Sequence, residues 1–429
     1  MARSESLRCE LVVIGMGMAG MASALFGANR GLSVVQVGVM GEMVFASGLL
    51  DLLGVHPLDE GNSWLNPWEG IDRLVRDLPL HPYARVRRED IETAFEELLM
   101  FLSESGLPYR NGRERNSEII TPLGTIKQTY CVPNSMWAGV EAVAAKSPCL
   151  IVGFKGLNEF SAHQIEAVLG DRWETLRAVS IPFPGDEYMK GPSTGEILAR
   201  SLEVPRNRER LAKAIVPHLK DAQAVGMPAV LGMNRTDEIV ADLQKRVGVA
   251  VFEIPTMPVS VPGLRLNETF YRELSLRGVN HFAQDRVFDV RHEHGDGFSL
   301  SFGNKEIQHT VRTRGIILAS GRFWGRGLYA DRKRVREAIF DLPVYQPKDR
   351  TEWHRQDFLD PRGHPLNEAG LEVDDLFRPL MDSGRPAYDT LFCAGSILAH
   401  QDWMRMKCGS GLAIATAFGA VNGFLKLKA

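Results

Sequence analysis

The apolar positions of this chain fall into short runs separated by glycine-rich turns. Residues 11–14 (Leu-Val-Val-Ile) are apolar without a break, the pattern of a strand covered on both faces. Gly15-Met16-Gly17-Met18-Ala19-Gly20 then turns the chain, residues 21–29 continue as an Ala-rich helix, and residues 33–37 read as a second strand. Residues 55–83, rich in Pro, Gly and Trp, read as an irregular surface excursion. After them Ile91, Ala94, Phe95, Leu98, Leu99 and Leu102 recur at i, i+3, i+4 spacing, which predicts a helix stopping near Gly106 and Pro108.

From about residue 109 to 262 the pattern alternates between strands at 149–154, 228–233 and 249–254 and helices at 161–169 and 236–247. The second of these helices turns Ile239, Val240, Leu243 and Val247 inward and stops at Gly248. Pro262-Gly263-Leu264-Arg265 leads into a helix through Phe270, Leu274 and Leu276. Two alternating strands follow at 287–290 and 298–302, separated by Gly295-Asp296-Gly297. Residues 314–321 form an apolar strand ending in Ala319-Ser320-Gly321. The chain closes on Leu391-Phe392-Cys393-Ala394-Gly395-Ser396, on Cys408-Gly409-Ser410-Gly411, and on a helix from 412 to about 425. The expected fold class is α/β. A Rossmann-like domain (parallel sheet plus β-meander) spans 1–55 and 263–429, and an α/β substrate or partner domain is inserted over 56–262.

Composition narrows the classes. With 429 residues the chain is long enough for two or three cored domains. A formal net charge of -3 argues against nucleic acid as the main partner. Cys9, Cys131, Cys149, Cys393 and Cys408 show no C-x-x-C spacing, so neither a metal site nor an iron–sulfur cluster is expected, and scattered thiols suit a reducing cytoplasm. The first apolar stretch is short and glycine-interrupted, unlike a signal peptide, and no run approaches the roughly 20 apolar residues of a spanning helix.

The G-x-G-x-x-G carries the chemistry. Gly15 makes a tight turn, Gly17 lets backbone approach a phosphate, and Gly20 lets helix pack on strand. The phosphate would rest on the N–H groups that open the helix, including those of Met18 and Ala19, where the macrodipole favours an anion. A dinucleotide site also needs a carboxylate for the adenosine ribose at the end of the second strand, and that position is Gly38; Glu42 lies past the strand end. In the next loop Ser47 and Gly48 are candidates for close backbone approach to a ring, while Thr121 to Thr125 and Pro192 to Gly195 read as turns.

Together these pieces resemble the flavin-dependent succinate dehydrogenase/fumarate reductase superfamily. Within it, Phe45-Ala46-Ser47-Gly48-Leu49-Leu50-Asp51-Leu52-Leu53 resembles the B-subunit family of the anaerobic glycerol-3-phosphate dehydrogenases, as do Thr121 to Thr125, Gly153-Phe154-Lys155-Gly156-Leu157 and Pro262 to Arg265. The resemblance implies one part of an enzyme that oxidises sn-glycerol 3-phosphate to dihydroxyacetone phosphate with electrons passed to a quinone. It implies a noncovalent FMN, with FAD as the alternative. It also implies two partner subunits, a larger flavoprotein and a membrane-attached iron–sulfur protein, so the chain would be cytoplasmic and peripheral at the inner face of the membrane. Carried over by position, Gly15, Gly17 and Gly20 hold the phosphate, and Gly321, Gly395, Gly409 and Gly411 line the flavin, with N–H groups near Gly409 and Gly411 facing its reduced ring. Ser396 stands where the superfamily usually has an Asp for the ribityl chain. Arg265, Arg322 and His400 are candidate catalytic residues, with Arg326, His354 and His364 also near motif turns or in the last third. Two other readings stay open: a non-catalytic scaffold with a degenerate nucleotide fold, and a stand-alone FAD-dependent oxidoreductase of the fumarate reductase type.

Overall fold

The computed structural model describes residues 5–40, 42–184, 194–293 and 297–428. The expected turns at 192–195 and 295–297 lie partly outside these residues, and the side chain of Glu42 lies outside them too. In chain order the main strands are β1 (Glu5–Met16), β2 (Val34–Met40), β3 (Cys149–Phe154), β4 (Leu176–Ile181), β5 (Ala224–Pro228) and β6 (Ala250–Ile254). They continue with β7 (Asn280–Ala283), β8 (Arg286–Glu293), β9 (Gly297–Gly303), β10 (His309–Leu318) and β11 (Leu391–Cys393). The helices used below are α1 (Met18–Asn29), α2 (Arg88–Glu104), α3 (Ala162–Leu169), α4 (Thr236–Val247) and α5 (Gly409–Lys428).

The chain divides into two compact units. One holds Met1–Glu42, Asp51–Leu98 and Phe270–Ala429, and the other Met43–Leu50 and Leu99–Thr269. The expected boundaries at 55/56 and 262/263 therefore shift. Residues 51–98 pack with the first unit because Leu52, Leu53, Trp68, Leu74 and Tyr83 are buried there, whereas 43–50 cluster with the second.

In the first unit, the sheet runs β7-β2-β1-β10-β9-β8, with β11 also bonded to β10. β7, β2, β1, β10 and β11 are parallel, and β8, β9 and β10 form an antiparallel meander. β10 serves both parts: residues 309–313 pair with β9, and 316–318 pair with β11. The parallel strands are covered on both faces, which is why Leu11, Val12, Val13 and Ile316 to Leu318 are all fully buried. α5 packs on α1, with Phe26 and Phe418 edge to face at 5.3 Å.

The second unit contains an all-parallel sheet ordered β6-β5-β3-β4. Counted from β3 this is the 2-1-3-4 order of an open doubly wound sheet, whose topological switch lies between β3 and β5. The loop from β5 to α4 borders that switch, and the chain has filled it. The Glu203 carboxylate accepts from the N–H groups of Met233 (2.8 Å) and Asn234 (3.0 Å) and pairs with Arg235.

Local differences from the sequence-based expectation have physical causes. The strand expected at 228–233 lies earlier, at Ala224–Pro228; the Ala229 N–H makes a last bond to the Ile254 carbonyl at 2.9 Å, and the apolar residues after it are buried as a loop. Within 55–83 lies a helix, Pro67–Asp77, capped by Asn66 and carrying Trp68, Ile71 and Leu74 inward. α5 also corrects the expectation about spanning runs. Its segment Gly409–Leu427 has a mean hydropathy of 1.3 and is long and apolar enough to cross a membrane, but it is mostly buried in its own unit. Its Gly and Ala residues, needed for close packing, diluted the apolar signal.

Candidate functional site

In the first unit, β1, β10 and β11 all end at the start of α1. Gly15 adopts φ +135°, and a β-carbon there would collide with the carbonyl oxygen of Ala319, just past the end of β10. A β-carbon on Gly20 would collide with the Gly15 carbonyl, so α1 can lie against β1 only with glycine there. Gly17 is different: a β-carbon would meet nothing within 4 Å. The N–H of Met21 makes the first helical bond, to the Gly17 carbonyl at 2.9 Å, so Met18, Ala19 and Gly20 supply the first-turn amides that a helix cannot satisfy internally. Open space in front of such amides is what a phosphate needs.

The glycines after β10 and β11 reach the same place. Gly395 (φ +79°) follows β11, and a β-carbon there would come 2.5 Å from the Ala19 side chain, so Gly395 brings this strand end against the first turn of α1. Gly321 (φ +70°) follows β10, with Ser396 Oγ 3.5 Å from where its β-carbon would sit. Beside it, Ser320 Oγ is buried and without a hydrogen-bond partner. That orphaned hydroxyl and the open cradle at Gly17 fit a ligand with one phosphate and a polyol chain. At the adenosine end β2 runs on to Met40, two residues past Gly38, and the side chain of Glu42 beyond it lies outside the described residues. Gly38 holds no side chain, and a β-carbon there would lie 3.1 Å from both Gly15 Cα and Met16 Cγ, while β7 pairs along the outer edge.

The remaining candidates are engaged elsewhere. The Gly411 N–H donates to the Asp51 carbonyl at 2.7 Å, and the Asp51 N–H donates to Ser410 Oγ at 2.6 Å. Tyr83 Oη, which donates to the Leu52 carbonyl, lies 2.6 Å from where a Gly411 β-carbon would be. The Trp403 ring fills the same position at Gly409. The expectation that the amides at Gly409 and Gly411 face a ring is thus corrected at Gly411: the 51–52 segment takes its N–H. Ser47 and Gly48 belong to the second unit, where the close approach at Gly48 (φ +82°) is by Pro262, and the Gly48 carbonyl accepts from Tyr109 Oη.

None of the three catalytic candidates is a free acid or base at the cradle. Arg265 is buried and bidentate to Glu253 at 2.6 and 2.8 Å, with Nε on the Gly232 carbonyl, a structural clamp in the second unit. Arg322 spends its guanidinium on the carbonyls of Ser396, Asn367, Leu398 and Gln401, which fixes the 396–401 loop. His400, at φ +61°, bonds Glu372 Oε1 at 2.8 Å and lies against Tyr345 beside a small cavity of about 110 Å³. His354 and His364 touch each other edge on, and Arg326 is exposed. Sequence reasoning missed Gln36, a fully buried amide whose Nε2 donates to the Gly15 carbonyl at 2.8 Å. A lone polar residue inside Val34-Val35-Gln36-Val37 was the available signal.

The FAD binding domain family matches residues 10–412. A relative from Halobacterium salinarum, described as the probable B-subunit of an anaerobic glycerol-3-phosphate dehydrogenase, is 30% identical, covering 97% of each chain. The anaerobic glycerol-3-phosphate dehydrogenase B-subunit of Vibrio cholerae is 27% identical over 97% of this chain and 96% of its own. That of Pectobacterium atrosepticum is 27% identical over 98% and 99%. Among solved structures, a 3-ketosteroid delta1-dehydrogenase from Sterolibacterium denitrificans covers 98% of this chain and is itself covered fully (100%), at 12% identity and TM-score 0.44. A flavocytochrome c3 fumarate reductase in an open conformation covers 98% of this chain, with 78% of its own covered, at 9% identity and TM-score 0.41. A sequence likeness that runs nearly end to end in both directions, together with the match to an FAD binding domain, shows that this chain belongs to the B-subunit family of the anaerobic glycerol-3-phosphate dehydrogenases, within the flavin-dependent oxidoreductases.

Proposed function

We propose that this chain is the flavoprotein through which sn-glycerol 3-phosphate is oxidised to dihydroxyacetone phosphate, with the electrons passed to a quinone through partner proteins, and that its flavin is FMN. The reaction rests on the end-to-end likeness to the B-subunits, and the observation that carries the flavin assignment is the pairing of an open phosphate cradle at Gly17 with a glycine, not a carboxylate, at position 38. Such a carboxylate contributes charge-assisted hydrogen bonds worth about 1.5–3 kcal/mol, so its loss weakens FAD by roughly tenfold or more and costs FMN nothing.

Bound at the cradle, a flavin would supply the conversion between a two-electron donor and one-electron acceptors. The chain's own residues would do the rest. The amides of Met18, Ala19 and Gly20 and the α1 macrodipole hold the terminal phosphate. Ser320 Oγ, buried and unpartnered, offers a hydroxyl to the polyol chain. Arg322 keeps the 396–401 loop in place behind it. Among the described residues no group of three or more His, Cys, Asp or Glu side chains could hold a metal ion. In this reading the iron–sulfur relay therefore comes from a membrane-attached partner, and substrate chemistry is shared with a larger flavoprotein partner. The chain is then peripheral at the inner face of the membrane through those two proteins.

The test is to purify the full chain, record its absorption and identify the acid-released flavin. FMN at stoichiometric yield supports the proposal; stoichiometric FAD overturns the FMN assignment. One observation favours a second reading, that of a non-catalytic scaffold: the Gly411 N–H, expected at the flavin ring, is taken by Asp51. A colourless chain that still co-purifies with the larger flavoprotein would bear out the scaffold, whereas a lone soluble chain with full glycerol 3-phosphate:quinone activity would remove the need for partners.

A further inference from the structure

We propose that Gln36 is the positioning residue of the phosphate cradle, acting through the carbonyl of Gly15 to hold the glycine loop in its binding form. Gln36 is fully buried in β2, and the other members of its run, Val34, Val35 and Val37, are apolar and buried. Its Nε2 donates to the Gly15 carbonyl at 2.8 Å. Its Oε1, equally buried, has no hydrogen-bond partner. An apolar side chain of similar length would remove that orphaned acceptor but would leave the buried Gly15 carbonyl without this donor, so what the amide adds is its hold on that carbonyl.

The far side of the same carbonyl explains the need. It faces Gly20, where a β-carbon would collide with it and would come 3.2 Å from Gln36 Nε2. The Gly15 carbonyl is therefore clamped between β2 and the first turn of α1. A planar trans peptide carries its N–H opposite its C=O, so fixing this carbonyl fixes the Gly15–Met16 peptide as a unit. Gly15, at φ +135°, belongs to the residue type with the most conformational freedom to lose, and it falls at the irregular step between the Ile14–Val37 and Met16–Met40 pairs, where the side-chain bond adds a restraint to an interrupted ladder. Gly17 and the first-turn amides follow directly, so the clamp sets the relation between strand end and helix start that a phosphate has to span. The inference rests on a flavin phosphate being held at this loop, and is indifferent to whether the flavin is FMN or FAD.

The test compares wild type with Gln36→Leu and Gln36→Met in the full chain stripped of flavin. Each is titrated with the flavin the wild type retains and with riboflavin, which has the same ring and polyol chain but no phosphate, using quenching of flavin fluorescence. Thermal midpoints are read alongside. The expected result is a Kd for the phosphorylated flavin raised about tenfold, the loss of one well-placed interaction, with the riboflavin Kd changed by less than about twofold, both read below the thermal midpoint of every variant. Equal losses for both ligands, or no loss for either, would overturn the proposal. So would a wild type that does not distinguish the phosphorylated flavin from riboflavin. If Gln36→Leu does not fold, Gln36→Met decides; failure of both to fold would make Gln36 a packing residue and overturn the proposal too.

Discussion

Gly17 and Gly20 are the same amino acid three positions apart, and substitution separates their roles. A side chain at Gly17 projects into space with nothing within 4 Å, so Gly17→Glu should fold normally while putting a carboxylate where an anion has to sit. The expected outcome is the thermal midpoint of flavin-stripped wild type with the flavin absorbance lost; normal flavin occupancy would move the phosphate elsewhere. Gly20→Val instead drives a branched side chain into the Gly15 carbonyl, an overpacking that should cost about 1–3 kcal/mol in urea unfolding. His81 supplies a pH effect. Burial, helped by the positive charges His56 and His400 can carry, pushes its pKa down to about 3, and its Nδ1 already accepts the Tyr83 N–H at 3.1 Å. The unfolded chain thus takes up a proton near pH 6.5 that the folded chain refuses. The stability from this neutral histidine is complete above that pH and lost as pH falls towards 3, by up to about 1.4 kcal/mol per pH unit. Burial depresses His281 to about 4, in the same direction over a narrower window. His81→Asn keeps an acceptor for Tyr83, so its urea midpoint should fall less between pH 7 and pH 5 than that of the wild type.

At the scale of elements, Arg265 tests what holds the second unit's sheet to its neighbours. On β6, the Glu253 carboxylate accepts from Arg265, the Leu231 N–H and Ser135 Oγ, all in the dry interior. Arg265→Met strands that carboxylate and should destabilise by about 3–5 kcal/mol, whereas Arg265→Met with Glu253→Leu should recover much of the loss because two charges no longer have to be desolvated. Unfolding midpoints of the single and double variants check this; a double variant as unstable as the single would overturn it. In the sequence Arg265 is an arginine beside a Pro-Gly turn, and its partner 12 residues back is invisible, since pairing across a fold leaves no periodic trace. What was legible was local: β1, the glycine turn and α1 announce themselves by unbroken apolar residues and regular glycine spacing. The expected strand at 228–233 was displaced to 224–228 because apolar content alone does not tell a ladder from a buried loop. The closure of the α5 start by Asp51 was illegible for the same reason as Arg265: a contact between residues 51 and 411 is a property of the folded chain.

At the scale of the whole molecule, two open α/β sheets of related construction share one polypeptide, and among the described residues the loop at the second sheet's switch already has a carboxylate on its backbone amides. In the second unit, the amides of Met233 and Asn234 at the β5–α4 loop already hold Glu203, whose carboxylate, despite the opposing effect of burial, stays ionised below the usual range because of those N–H groups and Arg235. A resident carboxylate works as an internal counter-ion, and because it is tethered a diffusing phosphate has to compete with it at a high effective concentration. The consequence is a stoichiometry. However many nucleotide-like sheets the topology counts, the purified chain should carry one flavin per polypeptide, read as the ratio of released flavin to protein, and a ratio near two would show that Glu203 yields its place.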